Sequence, residues 1–129
     1  MATLLRQTND RRDDPQPRTQ ATNVRPLVLV VEDHDDTRFM LTCLLEIRGY
    51  RVVVAEDGET AVRMAEQTRP DLILMDASLP GLDGLAATRR IRETPALAHV
   101  PIIFLSGHAE DTFRAVALET GGDDYLIKP

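Results

Sequence analysis

The sequence is poor in the features that stabilise secreted and membrane-spanning proteins. Its 129 residues include one cysteine, Cys43, which excludes an internal disulfide and any metal site built from several cysteines. Uninterrupted apolar runs, such as those at 27–31 and 102–105, are far shorter than the ~20 residues that a membrane span requires. The chain starts MATLLRQTNDRRDD, which lacks the apolar stretch of a signal peptide. We therefore expect a cytoplasmic protein with no membrane association.

Positive charge is also scarce, and lysine is almost absent. The chain has 15 basic and 21 acidic residues, and its formal net charge of −6 at pH 7 disfavours direct nucleic-acid binding as the main role of this segment. Every basic residue except Lys128 is arginine. A general preference for arginine accounts for that bias, but it leaves the single lysine beside the last residue unexplained.

The chain divides into a short polar tail and one domain. With eight prolines and seven glycines it does not have the composition of a low-complexity protein, and its length suits a single domain with a real core. Residues 1–25 mix charges with Pro15 and Pro17 and have no apolar face. We expect a disordered tail there, either simply solvated or acting as a tether. The folded domain is predicted at 26–129.

Short apolar runs alternate with segments of helical spacing along the domain. Solid apolar runs are typical of parallel strands buried on both faces. They occur at 27–31, 52–55, 72–75, 102–105 and 125–127. Helices are predicted between them at 36–48, 59–69, 84–93 and 111–120, and Met40, Leu44 and Ile47 form one of the apolar series. The alternation predicts an α/β protein with a flavodoxin-like, doubly wound parallel sheet of five strands.

Polar side chains follow the predicted strands directly. In an open α/β sheet, ligands bind beyond the carboxyl ends of the strands where the strand order reverses, and a domain of this length most often has the order 2-1-3-4-5. The residues expected to converge there are Glu32, Asp33, Asp76, Ser106 and Lys128. The acids after the second strand, Glu56 and Asp57, are expected at the sheet edge, outside the site.

This set of side chains predicts phosphoryl chemistry. Three converging carboxylates repel one another unless a cation shares the site, and oxygen ligands of this kind suit Mg2+. An aspartate that faces a metal ion, a lysine and a hydroxyl is well placed to attack phosphorus, so Asp76 is predicted to accept a phosphoryl group. Single members have ordinary explanations: Asp35 is expected to cap the first helix, and Lys128 alone would be a solvated terminus. Only the joint placement favours the functional interpretation.

Four segments carry a resemblance to a known family. They read VLVVEDHDDTR at 28–38, PDLILMDASLPGLDGL at 70–85, PIIFLSG at 101–107 and GGDDYLIKP at 121–129. Together they resemble the receiver domain of two-component response regulators. The resemblance implies that a histidine kinase or a histidine phosphotransfer protein transfers a phosphoryl group to Asp76 with Mg2+, and that the domain then switches conformation. It implies a signalling domain that catalyses only its own phosphorylation and dephosphorylation, rather than an enzyme.

The resemblance also implies a metal site. Asp33, Asp76 and the backbone carbonyl of Ser78 match the family's metal ligands, and Glu32 is expected to act through a water molecule. Glu32 stands where aspartate is commoner, which lengthens one acidic side chain and keeps its charge. The expected cofactor is Mg2+.

The other matched positions concern the phosphoryl group and the signal. Ser106 and Lys128 match the hydroxyl and the lysine that contact the phosphoryl group. Tyr125 matches the aromatic residue that changes rotamer when the hydroxyl moves, so Ser106 and Tyr125 form the expected switch. Ser78 and His108 match positions that border the path of the hydrolytic water, and they are expected to modulate the lifetime of the phosphorylated state.

The chain differs from a complete receiver at its end. A receiver continues into a fifth helix, whereas this sequence stops at Pro129, so we expect a domain lacking its final helix, as a fragment or completed by another chain. Apolar residues beside the first helix are then expected to face water, which favours association. A homodimer or a downstream output domain is the expected partner besides the phosphoryl donor.

Two other functions fit parts of the pattern. A hydrolase of the haloacid-dehalogenase type also uses an aspartate after a strand as its nucleophile, but it carries Asp-x-Asp, and here Asp76 is followed by Ala77 and Ser78. A flavin- or nucleotide-binding domain needs a phosphate-binding loop after the first strand, where this chain has acids that repel anions. Both fit less well than the receiver.

Overall fold

The computed structural model describes residues 24–79, 83–107 and 111–128. The expected tail lies almost entirely outside these residues, as does His108. The elements are, in chain order, β1 (Leu27–Val31), α1 (Asp35–Ile47), β2 (Arg51–Ala55), α2 (Gly58–Thr68), β3 (Leu72–Asp76), α3 (Gly84–Glu93), a short 3₁₀ helix (Pro95–Leu97), β4 (Ile102–Ser106), α4 (Asp111–Thr120) and β5 (Asp124–Ile127). Within the described ranges, no helix is long and apolar enough to cross a membrane.

The five strands form one parallel sheet in the order β2-β1-β3-β4-β5. The predicted fold class and strand order are confirmed, and the predicted strands and helices agree with the structure to within a residue at each end. The short 3₁₀ helix was not predicted. Because the order reverses between β1 and β3, the carboxyl ends of these two strands flank the crevice where ligands bind in such sheets.

The sheet has a large apolar core on one face and a small one on the other. Side chains alternate between the faces of a strand, so in β1 Leu29 and Val31 join the large core whereas Val28 and Val30 join the small one. The large core packs against α2 and α3, where Ile91 is fully buried. The small core is covered by α1. This two-layer burial holds the strand ends in place.

The apolar series whose spacing predicts α1 lies on the exposed side of the helix. Ile47 is 79% exposed, and Met40 and Leu44 are also exposed. Leu41 and Leu45 contact the small core instead. The helix carries two adjacent apolar stripes with the same spacing, so periodicity alone cannot tell which of them faces the sheet.

The start of α1 corrects a prediction. Asp35 was expected to be the N-cap, but it is the first helical residue, and His34 precedes it with extended backbone and Nδ1 3.5 Å from Thr37 N. The Asp35 carboxylate pairs with Arg38 instead. At α2 the N-cap is Asp57, whose Oδ1 accepts a hydrogen bond from the Thr60 amide at 2.7 Å. This bond lowers the pKa of Asp57 and gives that acid a structural role.

Candidate functional site

The strand ends place Glu32, Asp76 and Lys128 around one cleft, and they bring Ser106 to the same edge of the sheet, although Ser106 does not line the cleft. Asp76 and Ser106 are the last residues of β3 and β4, and both are buried. Glu32 and Lys128 lie one residue beyond β1 and β5, where backbone hydrogen bonds extend the pairing: Glu32 N–H donates to Ala55 O, and Lys128 N–H donates to Ser106 O. The regular pairing of the strands therefore determines the backbone positions of these four residues.

Lys128 joins two buried carboxylates. Its Nζ lies 2.9 Å from Glu32 Oε1 and donates a hydrogen bond to Asp76 Oδ2 at 3.1 Å. Glu32 and Asp76 are buried, whereas the lysine is partly exposed. Partial burial lowers the pKa of Lys128, but its bonds to Glu32 and Asp76 outweigh this and raise it overall. The only lysine of the chain is thus a cation held between acids.

Asp76 has an environment that disfavours its charge. Burial raises the pKa of Asp76 to about 6, although the Ser78 amide and Lys128 both act in the opposite direction. The Ser78 N–H donates to Asp76 Oδ1 at 3.0 Å. The two carboxylate oxygens therefore have different partners: a backbone amide at Oδ1 and the ammonium group at Oδ2.

A third acid completes a set of oxygen donors. Glu32, Asp33 and Asp76 can each present a carboxylate oxygen so that the three oxygens lie within 4.8 Å of one another. Glu32 Oε2 accepts a hydrogen bond from the His34 amide, and the buried Oε1 is paired with the Lys128 ammonium group at 2.9 Å. Three carboxylates that converge beside a single ammonium group leave an excess of negative charge, which fits a hard divalent cation such as Mg2+.

The acids open onto a cleft of about 410 Å³. Its lining residues are Glu32, Asp33, His34, Thr37, Asp76, Ser78, Gly107 and Lys128. Ser78, expected to modulate the site, borders this cleft, and the lining does not include Glu56 or Asp57, in agreement with their expected place at the sheet edge. The expectation for His108 falls outside the described residues.

Ser106 and Tyr125 lie on neighbouring strands. Ser106 pairs with Ile127 across β4 and β5, and Tyr125 pairs with Phe104, so the tyrosine lies two positions from the serine along the strand direction. Tyr125 is buried with Phe104 in the large core. The residues expected to form the switch are thus buried in adjacent strands.

Sequence reasoning missed three residues that line the cleft: Gly107, which follows β4, and two residues near the start of α1. His34 and Thr37 come from the turn after β1 and the first turn of α1, and Thr37 Oγ1 lies 3.4 Å from His34 Nδ1. The available signal was position, since His34 directly follows the two acids.

Comparison with known proteins gives a consistent result. The family model described as "Response regulator receiver domain" matches residues 28–129. The transcriptional regulatory protein AfsQ1 of Streptomyces coelicolor is 43% identical over 104 residues, which cover 81% of this chain and 45% of AfsQ1. The chain therefore spans less than half the length of that relative.

Solved structures show the same similarity. The receiver domain of the sensor histidine kinase PA1611 from Pseudomonas aeruginosa PAO1, crystallised with a magnesium ion coordinated in its active-site cleft, has a TM-score of 0.77 and 43% identity, covering 82% of this chain and 87% of that one. The chemotaxis protein CheY4 of Vibrio cholerae has a TM-score of 0.79 and 27% identity, with coverage of 82% and 88%.

Proposed function

The chain belongs to the receiver-domain family of response regulators, whose domains are phosphoacceptors of two-component signalling, and we propose that Asp76 accepts the phosphoryl group here. The observation that supports this most strongly is the environment of its carboxylate. Asp76 is buried at the end of β3, 3.1 Å from Lys128, beside two further acids and an open cleft. The haloacid-dehalogenase alternative is not favoured. The chain matches the receiver-domain family, and it lacks the second acid of the Asp-x-Asp motif of the dehalogenases.

The reaction follows from the charges around Asp76. A carboxylate oxygen of Asp76 forms a bond to the phosphorus atom of the donor, and the bond from phosphorus to the donor's leaving atom breaks, with its electron pair leaving on the donor. Lys128 places a positive charge beside the oxygens of the phosphoryl group that is transferred, and the Ser106 hydroxyl donates a hydrogen bond to one of these oxygens. These two groups stabilise the charge that develops during transfer.

The metal site of the proposal uses the acids of the cleft. Asp33, Asp76 and the Ser78 carbonyl would hold Mg2+ directly, and Glu32 would hold it through water. Bound there, Mg2+ supplies positive charge that offsets the phosphoryl oxygens and the repulsion among the acids. The three converging carboxylates support this assignment, as does the magnesium in the PA1611 receiver domain.

Phosphorylation is proposed to act through Ser106 and Tyr125. A phosphoryl group adds charge and strong acceptor oxygens, so the Ser106 hydroxyl is drawn toward it and Tyr125 changes its packing on the neighbouring strand. Ser78, at the border of the cleft, and His108 are proposed to modulate loss of the phosphoryl group by affecting access of water.

The wider setting is also a proposal. We assign residues 26–129 to the receiver and 1–25 to a disordered tail, in a cytoplasmic protein that takes its phosphoryl group from a histidine kinase or a histidine phosphotransfer protein. The domain catalyses only its own phosphorylation and dephosphorylation, and it acts on an output domain or a second copy rather than binding nucleic acid itself. The relative AfsQ1, a transcriptional regulatory protein of which the matched region covers 45%, is consistent with a separate output domain.

The proposal is tested by intact-protein mass spectrometry after incubation with Mg2+ and a small acyl-phosphate donor. The wild-type chain should gain one acid-stable but base- and hydroxylamine-labile phosphoryl group, and Asp76→Asn should gain none. The matched control is Asp57→Asn, which removes an acid at the edge of the sheet and should keep the incorporation. Undiminished incorporation in Asp76→Asn would exclude Asp76 as the acceptor.

A further inference from the structure

Arg38 contacts the turn that carries two of the three acids of the cleft. It lies in the first turns of α1, and its side chain is only 16% exposed. Its Nη1 donates a hydrogen bond to the backbone carbonyl of Glu32 at 3.0 Å and a longer one to that of Asp33 at 3.5 Å. Arg38 does not line the cleft itself, so it can act on the site only through these residues.

The other contacts of Arg38 are ion pairs, and they contribute less to holding its side chain in place. Its Nη2 pairs with Asp35 at 2.6 Å and lies 3.8 Å from Glu56, and both acids are largely exposed. Surface ion pairs of this kind contribute little to stability. The hydrogen bonds from a charged, mostly buried guanidinium to backbone carbonyls are the stronger interactions, and the planar fork of arginine suits several acceptors at once.

The backbone of the turn has two anchors, one on each side of Glu32. The Glu32 amide donates to Ala55 O of β2, and the Glu32 carbonyl accepts from Arg38. A third bond, from the His34 amide to Glu32 Oε2, depends on the same turn geometry. Without Arg38, the carbonyl side of the turn loses its side-chain donor, although the Glu32 carboxylate keeps the His34 amide and Lys128 as direct partners.

We infer that Arg38 is a positioning residue that orients the Glu32 and Asp33 carboxylates for a divalent cation. This inference rests on the metal site of the proposed function. Two effects of Arg38 on the cation have opposite signs: its charge disfavours a second positive charge nearby, whereas its hydrogen bonds favour the ligand geometry. Changing outer partners of metal ligands typically weakens metal affinity 10–100-fold, so we expect the geometric effect to dominate.

The test is isothermal titration of the full 129-residue chain with Mg2+. Arg38→Gln and Arg38→Lys should both bind Mg2+ roughly 10-fold or more weakly than the wild type, because lysine keeps the charge but not the fork. The matched control is Arg63→Gln on α2, an exposed arginine whose contact is with Thr60 and which does not line the cleft. It should stay within about twofold of the wild type.

Two further measurements separate positioning from general damage. Urea unfolding of each variant must show that it is folded during the titration, and amide hydrogen exchange at His34 should be faster in Arg38→Gln even without Mg2+. If Arg38→Gln binds Mg2+ as tightly as the wild type or more tightly, or if Arg38→Lys restores wild-type affinity, the inference is wrong while the proposed function stands. Absence of Mg2+ binding by the wild type would overturn both.

Discussion

Asp76 is held in a position that its own charge destabilises. Burial raises its pKa, and the Ser78 amide and Lys128 only partly compensate. A cation in the cleft relieves this cost, because its positive charge offsets the negative charge of the buried carboxylate. Asp76 and the other polar residues at the strand ends could be predicted from the sequence, because each of them directly follows a run of apolar residues. His34 and Arg38 could not, because their contacts depend on how side chains fold back across a turn.

This cost predicts how stability depends on pH in the absence of divalent cations. The folded-state pKa of Asp76 is about 6, above the value of 3.8 for an unperturbed aspartate, so the stabilisation from its protonated form is lost as pH rises through this range. Asp76→Asn does not titrate and avoids that loss. At pH 7.5 the free energy of unfolding of Asp76→Asn should exceed that of the wild type. The difference between the two proteins should be larger at pH 7.5 than at pH 5, by on the order of 1 kcal/mol.

Urea unfolding of both proteins at the two pH values, with EDTA present, measures this difference. A variant less stable than the wild type at pH 7.5, or an excess that does not change between pH 5 and pH 7.5, would show that burial does not control the charge of Asp76.

At the scale of elements, the start of α3 lies against the backbone of Asp76. Gly84 is its first residue, and a Cβ atom placed there would lie 2.0 Å from the carbonyl oxygen of Asp76. Asp83 caps the helix by accepting a hydrogen bond from the Ala86 amide at 2.8 Å, which holds Gly84 in the first turn of α3. The boundary of α3 was predictable from spacing, but this close approach was not, since it depends on distances between elements.

The close approach predicts a large effect of Gly84→Ala. Because the obstructing atom belongs to the backbone, α3 or the end of β3 must shift, and we expect a loss of stability on the order of 2–4 kcal/mol together with weaker Mg2+ binding. The control is Gly107→Ala in the cleft lining, where an added Cβ meets nothing within 4 Å. It should change the free energy of unfolding by less than about 0.5 kcal/mol.

Urea unfolding with circular dichroism detection gives both free energies. Equal effects of the alanine at 84 and at 107 would contradict the packing described for the start of α3.

At the scale of the molecule, the parallel sheet brings together residues as far apart in sequence as Glu32 and Lys128. Uninterrupted apolar runs predicted the strands, and the usual strand order of such sheets predicted which carboxyl ends lie next to each other. The spacing predicted α1 but not which of its sides faces the sheet, because Leu41 and Leu45 share their spacing with the exposed residues Met40 and Leu44. Which of two similar apolar stripes faces the sheet is determined by packing, so local sequence could not decide it.

The central claim, that Asp76 is the phosphoacceptor, is tested most directly by locating the modified residue. After phosphorylation with Mg2+ and an acyl-phosphate donor, borohydride reduces an aspartyl phosphate to homoserine, which tandem mass spectrometry assigns to a position. Two nearby acids with structural roles serve as internal controls. Asp71 accepts a hydrogen bond from the Leu27 amide, and Asp83 caps α3. We predict homoserine at position 76 and aspartate at 71 and 83. Homoserine at 71, 83, 33 or 57 with unchanged aspartate at 76 would contradict the account.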